Sequence, residues 1–410
     1  TPTPALPRST GRGSNSPPQI VPNSPFITGV GLATPLGNTT DATWRALGDG
    51  GFVSDPARVP GLNGAHEPRV NMLACRVARE AIASAGWNVR DVKSAALIVG
   101  TSKGAADAWI DQSGESHALM LQTAGDLNEA AAPSVSSAAH CSFGLAETAS
   151  AVAAAISCEG PRLTLSAACA SGLHALIRAA LMIRAGEVTR ALVVASESSL
   201  HPLFVGSFRR LGVLAPAGHG CRPFDKTRAG FVIGEAAAAI CLEAPEARRI
   251  TDASSISVEH FALGADATHL THGDPSGATL RSLLARVIDR RPIDLLHAHG
   301  TGTLANDPME LQAIENALAP SAGPLPSLYS HKGALGHSLG AAGLVSIAIN
   351  CLAHRHGMVP PNVQTHDPLP AARVRISCQA LRRPIRRSLA LAAGFGGAIA
   401  VVSLASSECH

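Results

Sequence analysis

The segment LTLSAACASGLHAL, from Leu163 to Leu176, passes from a strand pattern to a helix pattern within a few residues. Cys169 lies at this change, among alanine and serine side chains. The amides and the dipole at a helix N-terminus stabilise an anion, so we expect this thiol to ionise readily and to act as a nucleophile. A buried structural cysteine is the commoner case, and this segment alone leaves both interpretations open.

Around this segment, short apolar runs alternate with helical patterns. The runs that predict strands are SAALIVGTSKG, RLTLSAA and RALVVASES. Such alternation is typical of an α/β fold with a mostly parallel sheet that helices cover on both faces. The same rhythm returns in the second half, and we place the join near Pro245 to Thr251. The late segment LALAAGFGGAIAVVSLA predicts two buried strands joined by a turn.

The composition limits the classes of function. The 410 residues are 46% hydrophobic and 15% charged, with a net charge of +3, so charge indicates neither a nucleic-acid partner nor a membrane surface. No C-x-x-C pair occurs among the nine cysteines, which favours reduced thiols and a cytoplasmic location. Residues 1–25 are rich in Pro and Ser and lack a signal peptide's apolar core, so we interpret them as a disordered leader. The late apolar run is too short for a membrane span.

A histidine and glycine segment, HAHGTGTLANDPMEL, holds further candidate residues. It follows a predicted strand that ends at His299, and parallel sheets bind ligands at the carboxyl ends of their strands. His297 and His299 would face opposite sides of that strand, so they are poor partners for one metal ion. We interpret His297 as a core residue. Thr301 and Thr303 offer hydroxyls to an amide-bearing substrate arm, although turn hydrogen bonds are their more ordinary role.

Two other glycine-rich segments differ in what they indicate. SHKGALGHSLGAAG carries Lys332 and His337 among glycines that permit close backbone approach. FITGVGLATPLGNT follows the first predicted strand, but it lacks the third glycine and the later acidic residue of a dinucleotide-binding fingerprint. We therefore expect no nucleotide site there.

These segments resemble those of the β-ketoacyl–acyl-carrier-protein synthases, of the elongating type with a Cys-His-His site. The resemblance covers about residues 26 to 404 and rests on SAACASGLHAL, HGTGTLANDPMEL, KGALGHSLGAAG, GFGG, CRPFDKTRAGFVIGE and ITGVGLATPLGNT. It implies a thiolase-like α/β fold, in which two similar halves pack as a layered α-β-α-β-α sandwich. We expect a leader at 1–25, an N-terminal half at 26–248 with the nucleophile, and a C-terminal half at 249–410 with two histidines.

The resemblance also implies roles for individual residues. Cys169 would be the acylated thiol, and its amide would bind an oxyanion together with that of Phe395, the gate over the cysteine. His299 and His337, as neutral imidazoles, would stabilise the enolate of a decarboxylated malonyl thioester. The remaining implied residues are Lys332, which would pair with Glu310 and hold His337 in register, and Thr301 and Thr303, which would bind the pantetheine arm. No metal ion or bound cofactor is implied, because the substrates ride on the phosphopantetheine of an acyl carrier protein.

The implied partners are an acidic acyl carrier protein and a second subunit. The carrier would dock on Arg209 and Arg210, or on the arginines of the run LRRPIRR, Leu381 to Arg387. A homodimer is expected, and a heterodimer with a related subunit stays open. The resemblance does not distinguish primary fatty-acid synthesis from a type II polyketide-like pathway.

Two other functions compete with a 3-oxoacyl-[acyl-carrier-protein] synthase. A non-condensing partner subunit, of the kind that acts as a chain-length factor, typically lacks the nucleophile, whereas Cys169 and both histidines are present. A thiolase would need a second reactive cysteine in the late glycine loop, where this chain has AAGFGG. The polar residues usual in the family before and after the GFGG loop are replaced by Leu391–Gly394 and by Ala398-Ile399, which leaves the behaviour of the gate open.

Overall fold

The computed structural model describes residues 23–62, 67–111, 144–248, 255–320 and 323–406. Most of the leader predicted for residues 1–25 lies outside these ranges, as do the first residues after the domain boundary predicted at 248. Both therefore stay predictions.

The N-terminal half alternates strands and helices from Phe26 to Glu243. Its elements are β1 (Phe26–Ala33), α1 (Thr40–Gly48), α2 (Arg69–Ala85), α3 (Val89–Ser94), β2 (Ala96–Gly100), α4 (Glu147–Ile156), β3 (Arg162–Leu165), α5 (Ser171–Arg184), β4 (Arg190–Glu197), α6 (Pro202–Arg210) and β5 (Ala236–Glu243). Residues 106–111 are also helical.

The C-terminal half has the same alternation and ends in a long hairpin. Its elements are β6 (Ile256–Ala265), α7 (Ala278–Ile288), β7 (Leu295–His297), α8 (Asn306–Leu318), β8 (Ser327–Tyr329), α9 (Lys332–Leu335), α10 (Ala342–His356), β9 (Met358–Val359), β10 (Arg375–Ile376), β11 (Leu381–Arg382), β12 (Arg387–Ala393) and β13 (Ala398–Ser406). Short 3₁₀ turns span Pro245–Ala247 and Leu339–Ala341.

Eleven of the thirteen described strands form one sheet that contains an internal repeat, and β9 and β11 pair with each other. The order of the large sheet is β10-β8-β7-β12-β13-β6-β1-β5-β4-β2-β3. From the centre outward, β1-β5-β4-β2-β3 and β6-β13-β12-β7-β8 follow the same order, with antiparallel pairs first and parallel pairs at the outer strands. The halves meet where Phe26 and Ile27 of β1 pair with β6. The two similar halves expected from the sequence are thus present as a repeated topology.

The expectation of a mostly parallel sheet is wrong. Five of the sheet's strand pairs are antiparallel: β1 with β5, β1 with β6, β4 with β5, β6 with β13, and β12 with β13. The last pair is joined by the four residues Gly394–Gly397, and a loop this short can form only a hairpin, since parallel strands need a long crossover.

Two buried helices form the middle layer and bring the site together. Helix α10 contacts β5 of the first half and β12 of the second, while α5 contacts β4 and β13. Outside the sheet, α2 covers β1 and β5, and α7 covers β6 and β13, which gives the expected five layers. A Cβ on Gly172 of α5 would lie 2.8 Å from the Leu344 amide of α10, and one on Gly343 would lie 2.7 Å from Leu173. These glycines let the two helix starts touch, so the turn before α5 lies near the segment before α10.

Candidate active site

A cavity of about 860 Å³ opens at the carboxyl ends of β3 and β7. The sequence-predicted residues that line it are Cys169, His299, Thr301, Thr303, Glu310, His337 and Phe395. Lys332 is fully buried behind His299. Arg209 and Arg210 end α6, directly before the lining residue Leu211, and both are exposed.

The turn from β3 to α5 is tight and holds Cys169 toward the cavity. Ala168 has a φ of 48°, a left-handed conformation that L residues rarely adopt. Ser171 secures it, because its hydroxyl accepts from the Ala167 amide at 2.9 Å and donates to the Ala168 carbonyl at 2.6 Å. A strained residue kept in place by its surroundings is common at active sites.

The GFGG loop lies directly against this turn. The amide of Phe395 donates to the Cys169 thiol, which is the contact expected of an oxyanion donor. A Cβ on Gly394 would lie 2.6 Å from the Ala167 carbonyl and 3.2 Å from the Cys169 amide, so a side chain there has no room. The Phe395 ring neighbours that of Phe208, with ring centroids 6.4 Å apart.

Burial controls the ionisation of Cys169. It raises the pKa of the thiol to about 11, although Lys103 and Lys332 oppose the rise. The expectation that a helix start makes this thiol anionic is therefore wrong. Desolvation outweighs the nearby cations, so the resting thiol is protonated at neutral pH.

His299 is positioned through its backbone. The carboxylate of Glu310 accepts from the His299 amide at 2.6 Å and from the Gly300 amide at 2.8 Å, and Asn306 donates to it at 2.9 Å. Burial, followed by the charge of Asp307, raises the pKa of Glu310 to about 7.

The expected ion pair between Lys332 and Glu310 is wrong in its geometry. The Lys332 ammonium donates to the carbonyl oxygen of His299, and no ion pair joins it to Glu310 among the described residues. The two charges act on each other only at longer range, because backbone and amide donors already occupy the carboxylate. Lys332 therefore binds the carbonyl oxygen of His299, while Glu310 binds the amide of the same residue.

His337 is fixed by a neighbouring extended segment. Gly336 has a φ of 73°, which turns the chain so that the His337 amide donates to the Val232 carbonyl at 2.6 Å. The His337 carbonyl accepts from the Gly234 amide at 3.2 Å. The His337 and His299 rings meet edge to face, with centroids 5.5 Å apart.

Both imidazoles are neutral in this environment. Burial holds the pKa of His299 and of His337 well below the ordinary value, and the charge of Lys332 lowers both further. Neither ring has a carboxylate or carbonyl acceptor among the described residues, and the Nδ1 atom of each is buried without a partner there. Each ring therefore keeps an N–H that can donate to a substrate oxygen.

Comparison with known proteins agrees with this geometry. The family model "Beta-ketoacyl synthase, N-terminal domain" matches residues 67–247, and "Beta-ketoacyl synthase, C-terminal domain" matches 256–366. The "Actinorhodin polyketide putative beta-ketoacyl synthase 1" of Streptomyces coelicolor is 30% identical over 93% of this chain and 88% of its own length. This chain belongs to the beta-ketoacyl synthase family. The fold, family and acyltransferase class expected from the sequence are confirmed.

Other relatives of this beta-ketoacyl synthase come from different pathways. The "3-oxoacyl-[acyl-carrier-protein] synthase 2" of Coxiella burnetii is 28% identical over 83% of this chain and 88% of its own length. The solved structure "The ishigamide ketosynthase/chain length factor" has a TM-score of 0.79 and 26% identity, and the match covers 94% of this chain and 100% of that one. A second, "AntDE:AntF (apo): type II PKS acyl-carrier protein in complex with its ketosynthase bound to the hexaketide", has a TM-score of 0.79 and 25% identity over the same shares.

The sequence interpretation missed a second pair of histidines in the synthase. His297 Nδ1 lies 2.8 Å from Asn350 Oδ1, and its Nε2 lies 2.9 Å from Nδ1 of His331. Burial lowers the pKa of His297 to about 3 and that of His331 well below the ordinary value. The interpretation of His297 as a core residue agrees with these contacts. We call His297, His299, His331 and His337 the four-histidine cluster.

The sequence interpretation also missed the loop from Asp266 to Asp274, which lines the cavity. In it, the rings of His269 and His272 stack with centroids 3.7 Å apart. Its polar run DATHLTHGD, directly after a strand, was a usable signal. Across the cavity, the Thr301 and Thr303 hydroxyls lie 3.0 Å apart, and Thr303 also accepts from the Asn306 amide at 3.2 Å.

The run LRRPIRR is mainly structural in the synthase. Arg387 is buried and donates to Glu259 at 2.6 Å, while Arg383 pairs with Asp294 at 2.9 Å. Arg383 and Arg387 are therefore engaged within the chain, whereas docking at the exposed Arg382 and Arg386 stays a prediction. Arg209 and Arg210, in contrast, have no ion-pair partner within the described part of the chain.

Proposed function

We propose that this synthase is a 3-oxoacyl-[acyl-carrier-protein] synthase, which joins an acyl group held on Cys169 to a malonyl unit with loss of carbon dioxide. One observation carries the proposal: a single cavity contains a thiol that receives an amide donor and two neutral imidazoles that have no acceptor among the described residues. These are the groups that acyl transfer and enolate stabilisation need.

In the first half-reaction the acyl group moves from the carrier to Cys169. The sulfur attacks the thioester carbon, the carbon–sulfur bond to the carrier breaks, and the thiol proton leaves on the carrier thiol. The oxyanion formed in between is stabilised by the amides of Cys169 and Phe395. The Cys169 amide has no acceptor among the described residues, so it is free for this role.

In the second half-reaction the bond from the malonyl carbon to its carboxylate breaks and carbon dioxide leaves. The electron pair becomes an enolate, whose thioester oxygen accepts the N–H groups of His299 and His337. The carbanion attacks the acyl carbon, the bond to Cys169 breaks, and the sulfur takes a proton from solvent. Lys332 and Glu310 act as positioning residues for His299, and the hydroxyls of Thr301 and Thr303 bind the pantetheine arm.

A non-condensing partner subunit and a thiolase are less well supported. A non-condensing partner subunit does not need Cys169, His299 and His337 at one cavity. A thiolase needs a second cysteine at the site, whereas Cys169 is the cysteine that lines this cavity among the described residues. Cys221, the neighbouring thiol, is fully buried and donates to the Thr301 carbonyl at 3.4 Å.

We propose an acyl carrier protein as the partner, bound where Arg209 and Arg210 flank the cavity mouth. Two observations support this: these guanidinium groups are exposed beside a lining residue, and a solved structure 25% identical to this chain is described as a ketosynthase in complex with its acyl-carrier protein. The phosphopantetheine arm on that carrier then supplies the thioesters, and we propose no other cofactor.

We further propose a homodimer that forms along β3. This strand ends the described sheet and is only half-buried, so one row of its backbone groups is available for pairing with a second copy. The proposal also includes a cytoplasmic location, which the seven free cysteines of the described chain support. Within that part of the chain, none of the helices has the length and apolar character of a membrane span.

The test separates the two half-reactions. Cys169→Gln removes the acyl acceptor, so acyl-enzyme and condensation product should vanish while malonyl carrier still loses carbon dioxide. His299→Ala and His337→Ala should instead reduce decarboxylation by about 10²–10³-fold, the usual cost of one oxyanion donor, while acyl transfer to Cys169 survives. Labelled carbon dioxide and intact-protein mass report the two steps.

The matched control is Cys378→Ser, because Cys378 is an exposed thiol that does not line the cavity. Both steps should run at the unmodified rate in this variant. If Cys169→Gln stops decarboxylation as completely as the histidine changes do, the roles assigned to the thiol and the imidazoles are wrong.

A further inference from the structure

Lys103 and Cys169 lie at the same edge of the sheet. Lys103 follows β2 and Cys169 follows β3; these strands pair in parallel, with Gly100 opposite Leu165. The residues that follow these two strands therefore lie at the same edge of the sheet, where the cavity opens.

Aromatic rings, one of them in the cavity wall, lie against the Lys103 ammonium. Its Nζ lies 5.2 Å from the ring centroid of Phe204 and 5.4 Å from that of Phe208, distances at which a cation is attracted to the ring face. Phe208 itself lines the cavity together with Cys169 and neighbours the Phe395 ring. The side chain of Lys103 is only partly exposed, so this charge is incompletely screened by water.

The Lys103 charge has no carboxylate partner within 4 Å in the described ranges. It donates to the Ser102 hydroxyl at 3.2 Å, and that hydroxyl donates onward to Glu197 at 2.8 Å. Glu197 also accepts from the Ser102 and Gly340 amides and from the Ser199 hydroxyl. Four donors thus disperse the Glu197 charge, while the ammonium remains unneutralised.

Other titratable groups surround this space. They are Glu197 at the end of β4, Asp107 and Asp111 on the helical segment 106–111, His201 at the start of α6, and Lys332, His299 and His337 across the cavity. Asp111 pairs with His201 at 3.2 Å, and burial raises the pKa of Asp107. Among these charges, Lys103 opposes the rise of the Cys169 pKa most strongly, ahead of Lys332.

We propose that Lys103 is a positioning residue that stabilises the thiolate of Cys169 through space, from its fixed place over the rings of Phe204 and Phe208. It acts on the nucleophile and not on the substrate. The inference rests on the proposed function of Cys169 as the acylated thiol and explains how a buried thiol reaches its anionic form.

The test measures the thiol without any acyl carrier. Iodoacetamide alkylation of Cys169 in the full chain is followed by peptide mass between about pH 7 and pH 10, below the raised pKa of this thiol, where the alkylation rate rises with the thiolate fraction. Lys103→Met should slow alkylation about three- to tenfold throughout this range, which corresponds to a Cys169 pKa higher by at least about half a unit. Lys103→Arg should stay close to the unmodified profile, because it keeps the charge.

Two controls accompany these variants. Lys93→Met removes an exposed lysine that pairs with Glu159 at 3.2 Å, and it should leave the Cys169 profile unchanged. The exposed Cys378, alkylated in the same samples, should react equally in every variant. If Lys103→Met does not fold, Lys103→Gln makes the same measurement.

The outcomes are separable. An unmodified Cys169 profile in Lys103→Met overturns the proposal, and so does an equal shift in Lys103→Met and Lys103→Arg, since that would mean packing and not charge. A Lys103-dependent Cys169 profile in a protein that forms no condensation product keeps this inference and contradicts the proposed function instead.

Discussion

Gly394→Ala tests whether the gate loop and the nucleophile turn form one rigid unit. The backbone of Gly394 lies outside the left-handed region, so alanine fits its conformation, but the new Cβ would lie 2.6 Å from the Ala167 carbonyl. That is about 0.8 Å short of ordinary contact at 3.4 Å, and the two loops must separate by a similar distance. Because a misplacement of roughly 1 Å costs about 10²-fold in rate, we expect kcat/KM for condensation to fall about 10²-fold, or about 2.7 kcal/mol of barrier.

The assay compares this variant with Gly206→Ala. Gly206 lies in α6, its Cβ would meet nothing within 4 Å, and its backbone is helical, so its activity should be unchanged. Both acylation of Cys169 and condensation are measured, since the amide of Phe395 serves both steps. A kcat/KM of Gly394→Ala within about threefold of that of Gly206→Ala would refute the reasoning, because the gate loop would then move freely relative to the thiol.

Three further outcomes are expected. Burial holds the pKa values of the four-histidine cluster below those of the unfolded chain, so the unfolded state binds more protons as the pH falls below the ordinary histidine value, and the free energy of unfolding should be lower at pH 5.5 than at pH 7.5. Denaturant titrations that agree at the two pH values contradict this. Arg209→Glu with Arg210→Glu should weaken carrier binding at least about tenfold at low salt and less at high salt, whereas equal calorimetric affinity would exclude this patch. Sedimentation should give twice the 41.8 kDa chain mass, and a single species of the chain mass would exclude the dimer.

The sequence predicted several of the strands, among them β2, β3 and β4, but not the antiparallel pairs of the sheet. RALVVASE of β4 and AAAAICLE of β5 are buried almost throughout, and a strand buried on both faces has the same apolar run in either direction. Only the antiparallel direction of β12 and β13 could be predicted, because their connection is too short for a crossover. Direction elsewhere depends on long connections, such as residues 198–235 between β4 and β5, whose path a local pattern does not encode.

The site was predictable to the extent that its residues follow strand ends. Cys169 and His299 both do so, the glycine-rich segments supplied the threonine, lysine and second histidine candidates, and the resemblance added Glu310 and Phe395. The contact between His297 and His331 joins residues 34 positions apart, which no local pattern indicates. The predicted Lys332–Glu310 ion pair was wrong for a related reason. Backbone amides already donate to the Glu310 carboxylate, and a sequence of side chains does not indicate such backbone contacts.

Burial determines the charge of the Cys169 thiol and of the two imidazoles, but it favours the reaction at the imidazoles and opposes it at the thiol. Burial keeps His299 and His337 neutral, which suits an enolate, because a neutral imidazole donates a hydrogen bond without surrendering its proton and so does not quench the carbanion before it attacks. An imidazolium at the same place would be a strong enough acid to do so. Burial also raises the pKa of Cys169, which works against the nucleophile. A fixed cation close to the sulfur offsets this effect, and Lys103 is the cation proposed for that role, because its ammonium lies over the rings of Phe204 and Phe208 and has no carboxylate within 4 Å among the described residues.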